Sequence, residues 1–541
     1  MRIIKHTDVV IVGGGLGGMM AAKTAAEMGV NVTLIDKAYA ATSGPTAFAA
    51  GDFLAWLPEE DSLDEWVNYY LEVGEGLNSK EWVTRLFEAN YQIIKNLDRE
   101  GFYISKNDDG SYLRRGGRGK ITKCLLIPAY RLMKDMRKYI LAKGVHIIDR
   151  VQVVALTKTA KGKISGVAGF NKRTGKEVYI QAKAVILAAG GCSYRGPFFG
   201  QDVVSGEGIN LAYKAGAELA YMEYGNHFNV SLKEFDTYGQ SKFMAHGGKY
   251  INRLGEDFLL RTGEGSRARG HIAVRRMVEE ARDGRGPIYL DLREFHEEEL
   301  IKELMPNLAL LLESSKIDFY HTPNEAIPAL TGTSNASSAG VFINNNAETS
   351  LKGLFAAGDN ACKGLVTGAC VGLSGISLAW ANVTGYLAGK SAAELAKNET
   401  SGFIPEEQNN IDPGGIYSAL KYKGKYHPRE IIWELSALMG NGFVMILKSR
   451  ERLLKAQTQV RDLIERLNRD VLVNDYHELM IWHEARSALK TAELTLAASI
   501  FREETRGGHY REDFPTKSPE LNKLLKLSRI NKRLELYYAD I

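Results

Sequence analysis

Near the start of the chain, glycines recur at a spacing that lets a backbone approach a pyrophosphate. Gly13, Gly15 and Gly18 form a Gly-x-Gly-x-x-Gly motif, and Gly17 lies within it. The apolar residues 8–12 before the motif are typical of a buried parallel strand, and the Ala- and Met-rich residues after it of a helix. A helix that begins at such a turn directs free N–H groups and its positive dipole end at a phosphate. The pattern therefore predicts a dinucleotide-binding turn.

A carboxylate ends the second predicted strand. Asp36 closes the run Val-Asn-Val-Thr-Leu-Ile-Asp and is followed by Lys37. A carboxylate at this position can accept hydrogen bonds from both ribose hydroxyls of a dinucleotide, and its negative charge disfavours a 2′-phosphate. Strand, glycine motif, helix, strand and acid together are a more specific signal than the glycines alone. The neighbouring residues that we expect to bind the cofactor are Lys37, Ser43, Gly44 and Thr46.

Two later apolar runs also end in glycine turns, at residues 185–191 and 353–359. If their strands lie side by side, an acid at the end of the later one can hydrogen-bond the ribityl chain of a flavin. No second complete Gly-x-Gly-x-x-Gly motif occurs, which favours FAD alone over two dinucleotides. The further residues that we expect to contact FAD are Ala189, Gly190, Gly191, Gly358, Asp359, Ser374 and Ile376.

The composition is that of a folded globular protein. Of 541 residues, 45% are hydrophobic and 25% charged, and 69 Lys and Arg stand against 65 Asp and Glu. The net charge of +4 shows no excess of basic residues, so we expect no nucleic-acid partner. Residues 364–388 come nearest to a long apolar run, but Ser, Asn, Thr and Gly interrupt them. We therefore expect no membrane span.

The four cysteines are Cys124, Cys192, Cys362 and Cys370. None forms a Cys-x-x-Cys pair, so the sequence predicts neither an iron–sulfur cluster nor any other metal site in this chain. So few scattered cysteines do not form a disulfide framework, and the cytoplasm is the expected location. Cys362 and Cys370 flank a segment expected near the flavin. They are either a redox pair or, as the glycine-rich surroundings favour, small packing residues.

The order of predicted elements gives an α/β fold. Residues 8–36 begin a doubly wound sheet, and the two later glycine turns return to it. Residues 448–470 form a clear amphipathic helix, whereas the tail, 506–541, has little regular pattern. The expected parts are a Rossmann-like FAD-binding domain (1–222, with a helical excursion at about 53–128, and 331–397), an inserted α+β capping domain (223–330), and a C-terminal helical domain with the tail (415–541).

An ordered set of stretches resembles the flavoprotein subunits of fumarate reductase, succinate dehydrogenase, L-aspartate oxidase and adenylylsulfate reductase. The resemblance implies an FAD domain, a capping domain and a separate iron–sulfur, ferredoxin-like protein that exchanges electrons with the flavin. Residues 475–506 and 226–238 are most similar to the adenylylsulfate reductase branch. The matching stretches are IVGGGLGG (11–18), the loop 43–51, VILAAGG (185–191), SGEGINLAYKAGAEL (205–219), GKYINRLGEDF (248–258), GRGPIYLDL (284–292), GLFAAGD (353–359) and ETRGGHYREDFP (504–515).

The positions that carry chemistry in the resembled enzymes differ here. A histidine that often holds the flavin covalently corresponds to Pro45, so the resemblance predicts non-covalent FAD. The arginine proton donor corresponds to Gly270, and a histidine ahead of the last FAD strand corresponds to Asn335. No substrate-clamping arginine occurs in residues 364–378. A small dianion such as fumarate needs several guanidinium partners, so plain fumarate–succinate chemistry is disfavoured.

Other residues are candidates for the missing roles. Arg267, Arg269 and His271 form a basic cluster that could bind an anionic substrate or stabilise charge during hydride transfer. The alternative is a solvated helix face that pairs with nearby glutamates. His227 and His246 are candidate acid–base groups, although a single histidine is more often structural.

Three functions remain open from the sequence. The first is an adenylylsulfate-reductase-like flavoprotein subunit with an altered site for a small, anionic substrate. The second is a fumarate-reductase-like enzyme for a modified enoate or related organic acid. The third is an FAD electron-transfer subunit without substrate chemistry.

Overall fold

The computed structural model describes residues 3–116, 121–198, 200–226, 228–238, 240–265, 268–335, 337–399 and 413–541. His227 and Arg267, two of the candidates for catalysis, lie outside these ranges. The elements up to residue 222 are β1 (Ile3–Val12), α1 (Leu16–Glu27), β2 (Val32–Ile35), β3 (Asp52–Leu54), α2 (Leu63–Val73), α3 (Lys80–Arg99), β4 (Arg114–Gly116), β5 (Lys123–Leu126), α4 (Ala129–Ala142), β6 (His146–Ile148), β7 (Val151–Lys158), β8 (Ile164–Asn171), β9 (Glu177–Leu187), α5 (Glu207–Ala215) and β10 (Leu219–Ala220).

The second part of the chain, residues 228–330, is called the cap below. Its four strands form a separate antiparallel sheet in the order β11-β14-β13-β12, and α8 packs on this sheet. The elements of the cap are β11 (Phe228–Leu232), α6 (Gln240–Ala245), β12 (Lys249–Ile251), α7 (Phe258–Arg261), α8 (Gly270–Arg282), β13 (Ile288–Asp291), α9 (Glu298–Leu304), α10 (Pro306–Ser315) and β14 (Asn324–Leu330).

The third part begins with two short strands and ends in long helices and a hairpin. The helix predicted in 448–470 is α16, and Ser449 caps its N-terminus by accepting a hydrogen bond from the Arg452 N–H. The elements are β15 (Gly340–Val341), β16 (Leu354–Ala356), α11 (Gly364–Thr367), α12 (Ile376–Asn398), α13 (Pro413–Tyr417), α14 (Pro428–Met439), α15 (Gly442–Met445), α16 (Arg450–Arg469), α17 (Tyr476–Phe501), β17 (Leu524–Ile530) and β18 (Arg533–Ala539).

One seven-stranded sheet organises the fold. Its order is β6-β2-β1-β9-β8-β7, with β16 beside β9. Strands β6, β2, β1, β9 and β16 are parallel, and β7 and β8 form antiparallel pairs. Val12 pairs with Leu187, and Leu187 pairs with Ala356. The three glycine turns therefore meet at one edge of one sheet, as the sequence predicts.

The tail is more regular than its sequence suggests. The prediction of little regular pattern after residue 506 is wrong, because β17 and β18 form an antiparallel hairpin that joins β10 and β15 in a four-stranded sheet. Alternation along β17 is weak, and its pairing with β10 and β18 supplies the order. Within the part of the chain that the structure describes, no helix is long and apolar enough to cross a membrane.

Candidate functional site

The glycine turn after β1 is closed by contacts that leave no space for side chains. Gly13 has a φ of 112°, and a Cβ there would lie 2.2 Å from the Ala188 carbonyl oxygen. A Cβ on Gly18 would lie 1.9 Å from the Gly13 oxygen. At Gly17 the added atom would lie 3.0 Å from the Gly358 nitrogen. The turns after β1, β9 and β16 therefore pack closely, which leaves a backbone-lined cradle.

A cleft runs past this cradle along the carboxyl ends of the parallel strands. The space that it encloses, part of it open to solvent, is about 1660 Å³. Pro45, which the resemblance sets against a flavin-linking histidine, also lines it. The residues expected to bind FAD that do line the cleft are Gly13, Gly15, Gly17, Asp36, Lys37, Ser43, Gly44, Thr46, Ala189, Gly190, Gly358, Asp359 and Ser374.

Three residues expected to contact FAD do not line the cleft. Gly18 packs against the Gly13 carbonyl instead, which fixes the turn from behind. Gly191 lies against Thr333, whose oxygen would be 2.2 Å from an added Cβ. Ile376 begins α12 and is buried in the apolar core. All three lie behind the residues that line the cleft and support them by packing.

One end of the cleft, called the Asp36 end, is rich in charge. The Asp36 carboxylate accepts hydrogen bonds from Gly14 N at 2.9 Å and Ala38 N at 2.7 Å. Lys37 Nζ forms ion pairs with Glu207 of α5 and, at 2.8 Å, with Glu484 of α17. Burial alone would lower the pKa of Lys37, but the two carboxylates outweigh it and raise that pKa. The C-terminal helix α17 is thus tied directly to the cleft wall.

Asp359 lies at the end of the third strand-to-glycine unit, between backbone and side-chain donors. Its Oδ2 accepts a hydrogen bond from Asn335 N at 2.9 Å, and its Oδ1 accepts one from the buried Lys363 ammonium. Asn335 has a φ of 51° and lines the cleft with Asp359. Asn335, the residue that the resemblance sets against a histidine, therefore lies in the wall of the cleft and is bonded to Asp359 through its backbone N–H.

Another part of the cleft, called the Asp52 end, is where the cap meets the loop 369–375 and β3, a strand of a separate three-stranded sheet in the order β3-β5-β4. Leu54 N donates to the Gly375 carbonyl oxygen at 3.3 Å, and a Cβ on Gly372 would lie 3.0 Å from Gly270 Cα. Asn229 and Tyr238 of the cap line the cleft here together with Asp52.

Sequence reasoning missed an ion pair at the Asp52 end. Lys242 of α6 donates from Nζ to Asp52 Oδ1 at 2.6 Å, and its side chain is only 5% exposed. Asp52 follows directly after the 43–51 loop. An acidic residue next to expected FAD contacts could therefore have been predicted to lie in the site. The sequence around Lys242 contains no motif that predicts this contact, because the contact forms only when the cap packs against β3.

Arg269 and His271 lie beside the cleft rather than in its lining. Arg269 precedes the first turn of α8, and its side chain hydrogen-bonds the Cys370 thiol. His271 Nδ1 donates to the Val371 carbonyl oxygen at 3.1 Å. Burial, together with the nearby Arg269 cation, lowers the pKa of His271 to about 3. His271 is therefore neutral at neutral pH and supports the loop 369–372, which argues against its expected role as a cation.

His246 lies farther out on the cap. Its Nδ1 is 3.2 Å from Glu297 Oε1. Burial lowers the pKa of His246, and Arg115 and Lys242 lower it further against the opposing effect of Glu297 and Asp52. Among the residues that the structure describes, His246 does not line the cleft.

The cysteines are packing residues in this fold. All four are buried with free thiols. Burial raises the pKa of Cys362 and of Cys370 to about 12. Because thiolates are the reactive form, this favours the packing interpretation over a redox pair.

Comparisons with known proteins place the chain. The model of the FAD binding domain matches residues 8–378, and the model of the fumarate reductase flavoprotein C-terminal region matches residues 433–539. The chain belongs to the fumarate reductase family of FAD-binding flavoproteins. It is 28% identical to a fumarate reductase (CoM/CoB) subunit of Methanothermobacter marburgensis, over 96% of this chain and 97% of that one. The protein is thus an FAD-dependent oxidoreductase.

Solved structures agree on the fold. The FrdA chain of E. coli quinol fumarate reductase has a TM-score of 0.90 at 24% identity, covering 100% of this chain and 97% of that chain. Adenylylsulfate reductase from Archaeoglobus fulgidus has a TM-score of 0.81 at 21% identity, covering 100% and 96%. The fold is therefore that of a family flavoprotein, with a Rossmann-like FAD-binding part and C-terminal helices, as expected from the sequence.

The cleft fits FAD on its own geometry. A backbone cradle at Gly13, Gly17 and Gly358 has room for a pyrophosphate but none for side chains. Asp36 lies at one end, where ribose hydroxyls can reach its carboxylate, and Asp359 lies on the wall. The covalent state of FAD stays a prediction, and Pro45 supports non-covalent binding because a prolyl ring offers no nucleophile.

Proposed function

We propose that this protein is the flavoprotein subunit of an oxidoreductase that exchanges electrons between a small anionic substrate and an iron–sulfur partner protein. The observation that carries the proposal is the junction at the Asp52 end, where Gly372 of the cleft wall touches Gly270 of the cap. A substrate held there would be shielded from water by the cap and would face the cofactor. FAD supplies the two-electron chemistry when it is bound.

Different residues would bind the cofactor and the substrate. Asp36 and the glycine turns would hold the cofactor, and Asp359, supported by Lys363, would orient its ribityl chain. Arg269 lies next to Gly270 at the cap junction, and its guanidinium, which hydrogen-bonds the Cys370 thiol, would turn a remaining N–H toward one anionic group at the edge of the cleft. A substrate with one carboxylate or a similar oxyanion suits this arrangement.

The electron acceptor or donor would be a second protein. All four cysteines are buried singly, and the relatives named as fumarate reductase subunits support a multi-subunit assembly. An organic acid is the first candidate substrate, because both the C-terminal family model and the TM-score of 0.90 come from fumarate reductases. Adenylylsulfate is the second, on the similarity of residues 475–506 to that branch.

The assembly purified from its natural source tests the proposal. We expect iron and labile sulfide to copurify with FAD, and EPR of the reduced sample to show a cluster. Stopped-flow mixing of the reduced assembly with crotonate, fumarate or adenylylsulfate should reoxidise the flavin with one of them. A protein that carries FAD but no copurifying cluster, and that none of these compounds reoxidises, would contradict the proposal and favour a bare electron-transfer protein.

A further inference from the structure

The charges that line the cleft are unevenly balanced. The ionisable residues in the described lining are Asp36, Lys37, Asp52, Glu207, Tyr238 and Asp359. Lys37 is the one cation among them, and it lies at the Asp36 end between two glutamates. Within the described part of the lining, the Asp52 end therefore presents a carboxylate to a bound molecule and no cation.

The carboxylate of Asp52 is held in place by a buried partner. Its side chain is 15% exposed, and the Lys242 side chain behind it is 5% exposed. Removing an ammonium group from water is costly unless it is paired, so the buried Lys242 ammonium holds the Asp52 carboxylate in a fixed orientation. Because Lys242 comes from α6 of the cap and Asp52 begins β3, the pair also fixes the cap to the wall of the cleft.

We propose that the Asp52–Lys242 pair is the specificity determinant of the substrate end of the cleft, selecting against dianions. A second carboxylate of a substrate at this point would meet the Asp52 carboxylate, with no guanidinium in the described lining to compensate. A hydroxyl, thiol or amine group would instead donate a hydrogen bond to Asp52. The favoured substrate carries at most one negative charge and places a donor group beside Asp52.

The inference rests on the proposed function only for the position of the substrate. Lys242 is a positioning residue, since it reaches a bound molecule through Asp52. The surrounding groups lie farther out on the cap: His246 Nδ1 is 3.2 Å from Glu297 Oε1, and Arg115 lies 3.9 Å from Glu297. Their charges act on the pair from farther away and do not enter the lining.

Ligand binding to the oxidised, FAD-loaded protein tests this inference without turnover. Sulfite adds to bound flavins and bleaches them, so its dissociation constant reports the charge near the reactive edge. We expect D52N to bind sulfite at least tenfold more tightly and K242M at least tenfold more weakly. In D52N/K242M, which removes both charges, affinity should return to within threefold of the wild type. Opposite signs in the single variants are not expected from mere loss of stability.

Dianion affinity gives the second readout. Succinate and butyrate differ by one carboxylate, and calorimetry with each measures that difference on each variant. The ratio of succinate to butyrate affinity should rise at least tenfold in D52N and in D52N/K242M. A matched control is D61N, since Asp61 is a buried carboxylate paired with Arg114 that does not line the cleft. D61N should leave the ratio and sulfite binding unchanged.

The experiments can contradict the role of the Asp52–Lys242 pair without contradicting the proposed function. If D52N and K242M shift sulfite affinity in the same direction, or if the succinate ratio does not move, the pair does not select the substrate. Both results stand even when no tested compound reoxidises the reduced flavin. FAD content of each variant confirms that the cofactor site is intact, and D52N/K242M keeps the test valid if an unpaired Lys242 prevents D52N from folding.

Discussion

Replacing Lys37 with methionine should be far more damaging than the same change at another buried lysine. Lys37 is 20% exposed, and its partners Glu207 and Glu484 are 7% and 4% exposed. K37M keeps most of the apolar stem but leaves two buried carboxylates without their shared cation. Breaking a buried pair in this way costs about 3–5 kcal/mol. Arg195 still contacts Glu484 at 3.3 Å, so we expect the lower limit, about 3 kcal/mol.

The control is Lys23, whose side chain is 7% exposed but whose partners Glu27 and Glu100 are 31% and 29% exposed. In K23M these carboxylates can regain water, so the loss should be about 1 kcal/mol or less. Urea unfolding of the FAD-loaded proteins, followed by release of flavin fluorescence, measures both variants. The FAD dissociation constant should also rise more than tenfold in K37M alone, because uncompensated glutamates repel the pyrophosphate. Equal midpoints for the two variants would refute the argument.

Three further predictions concern the cofactor and acid stability. Acid precipitation should release all FAD into the supernatant, since Pro45 offers no atom for a covalent link; colour retained in the pellet would contradict this. Gly18→Ala should abolish FAD binding because its Cβ would lie 1.9 Å from the Gly13 oxygen. Gly29→Ala should keep FAD: its new methyl meets nothing within 4 Å, and its φ of 79° strains the backbone beyond the end of α1, outside the lining of the cleft. The hydrogen bonds from Arg285 hold the pKa of Glu280 at about 2. The ionised carboxylate therefore stabilises the folded protein fully above pH 4.5, and this contribution is lost as the pH falls toward 2. In E280Q, the free energy of unfolding should vary less with pH over that range.

Much of the cofactor half could be predicted because its signals are local. The spacing of Gly13 and Gly18 and the acid at Asp36 are read within one βαβ unit, and backbone geometry dictates them. The later strands β9 and β16 were also recognisable, since each is a short apolar run that ends in glycine. Even so, Gly191 and Ile376 show that adjacency in sequence does not decide which side of a turn faces the ligand.

The substrate half could not be predicted in the same way because its contacts are long-range. Lys242 and Asp52 are 190 residues apart, and no periodic pattern connects them. Arg269 and His271 were predicted to form a basic cluster because both residue types can carry a positive charge. Burial lowers the pKa of His271 to about 3, so its imidazole is neutral. The β17–β18 hairpin was missed for a related reason, as its order comes from pairing with β10 rather than from its own alternation.

The two ion pairs at the ends of the cleft explain how one fold can keep its cofactor while its chemistry changes. At the Asp36 end, Lys37 joins the parallel sheet to α17, so the cofactor site and the C-terminal helices stabilise each other. At the Asp52 end, Lys242 joins the cap to β3 of the three-stranded sheet through Asp52. The pairs share no residue, and a change in one leaves the other in place. If the proposed role of the Asp52–Lys242 pair holds, we expect substitutions at the Asp52 end to change which substrate is accepted while FAD binding is kept, because the glycine turns and Asp36 do not depend on that pair.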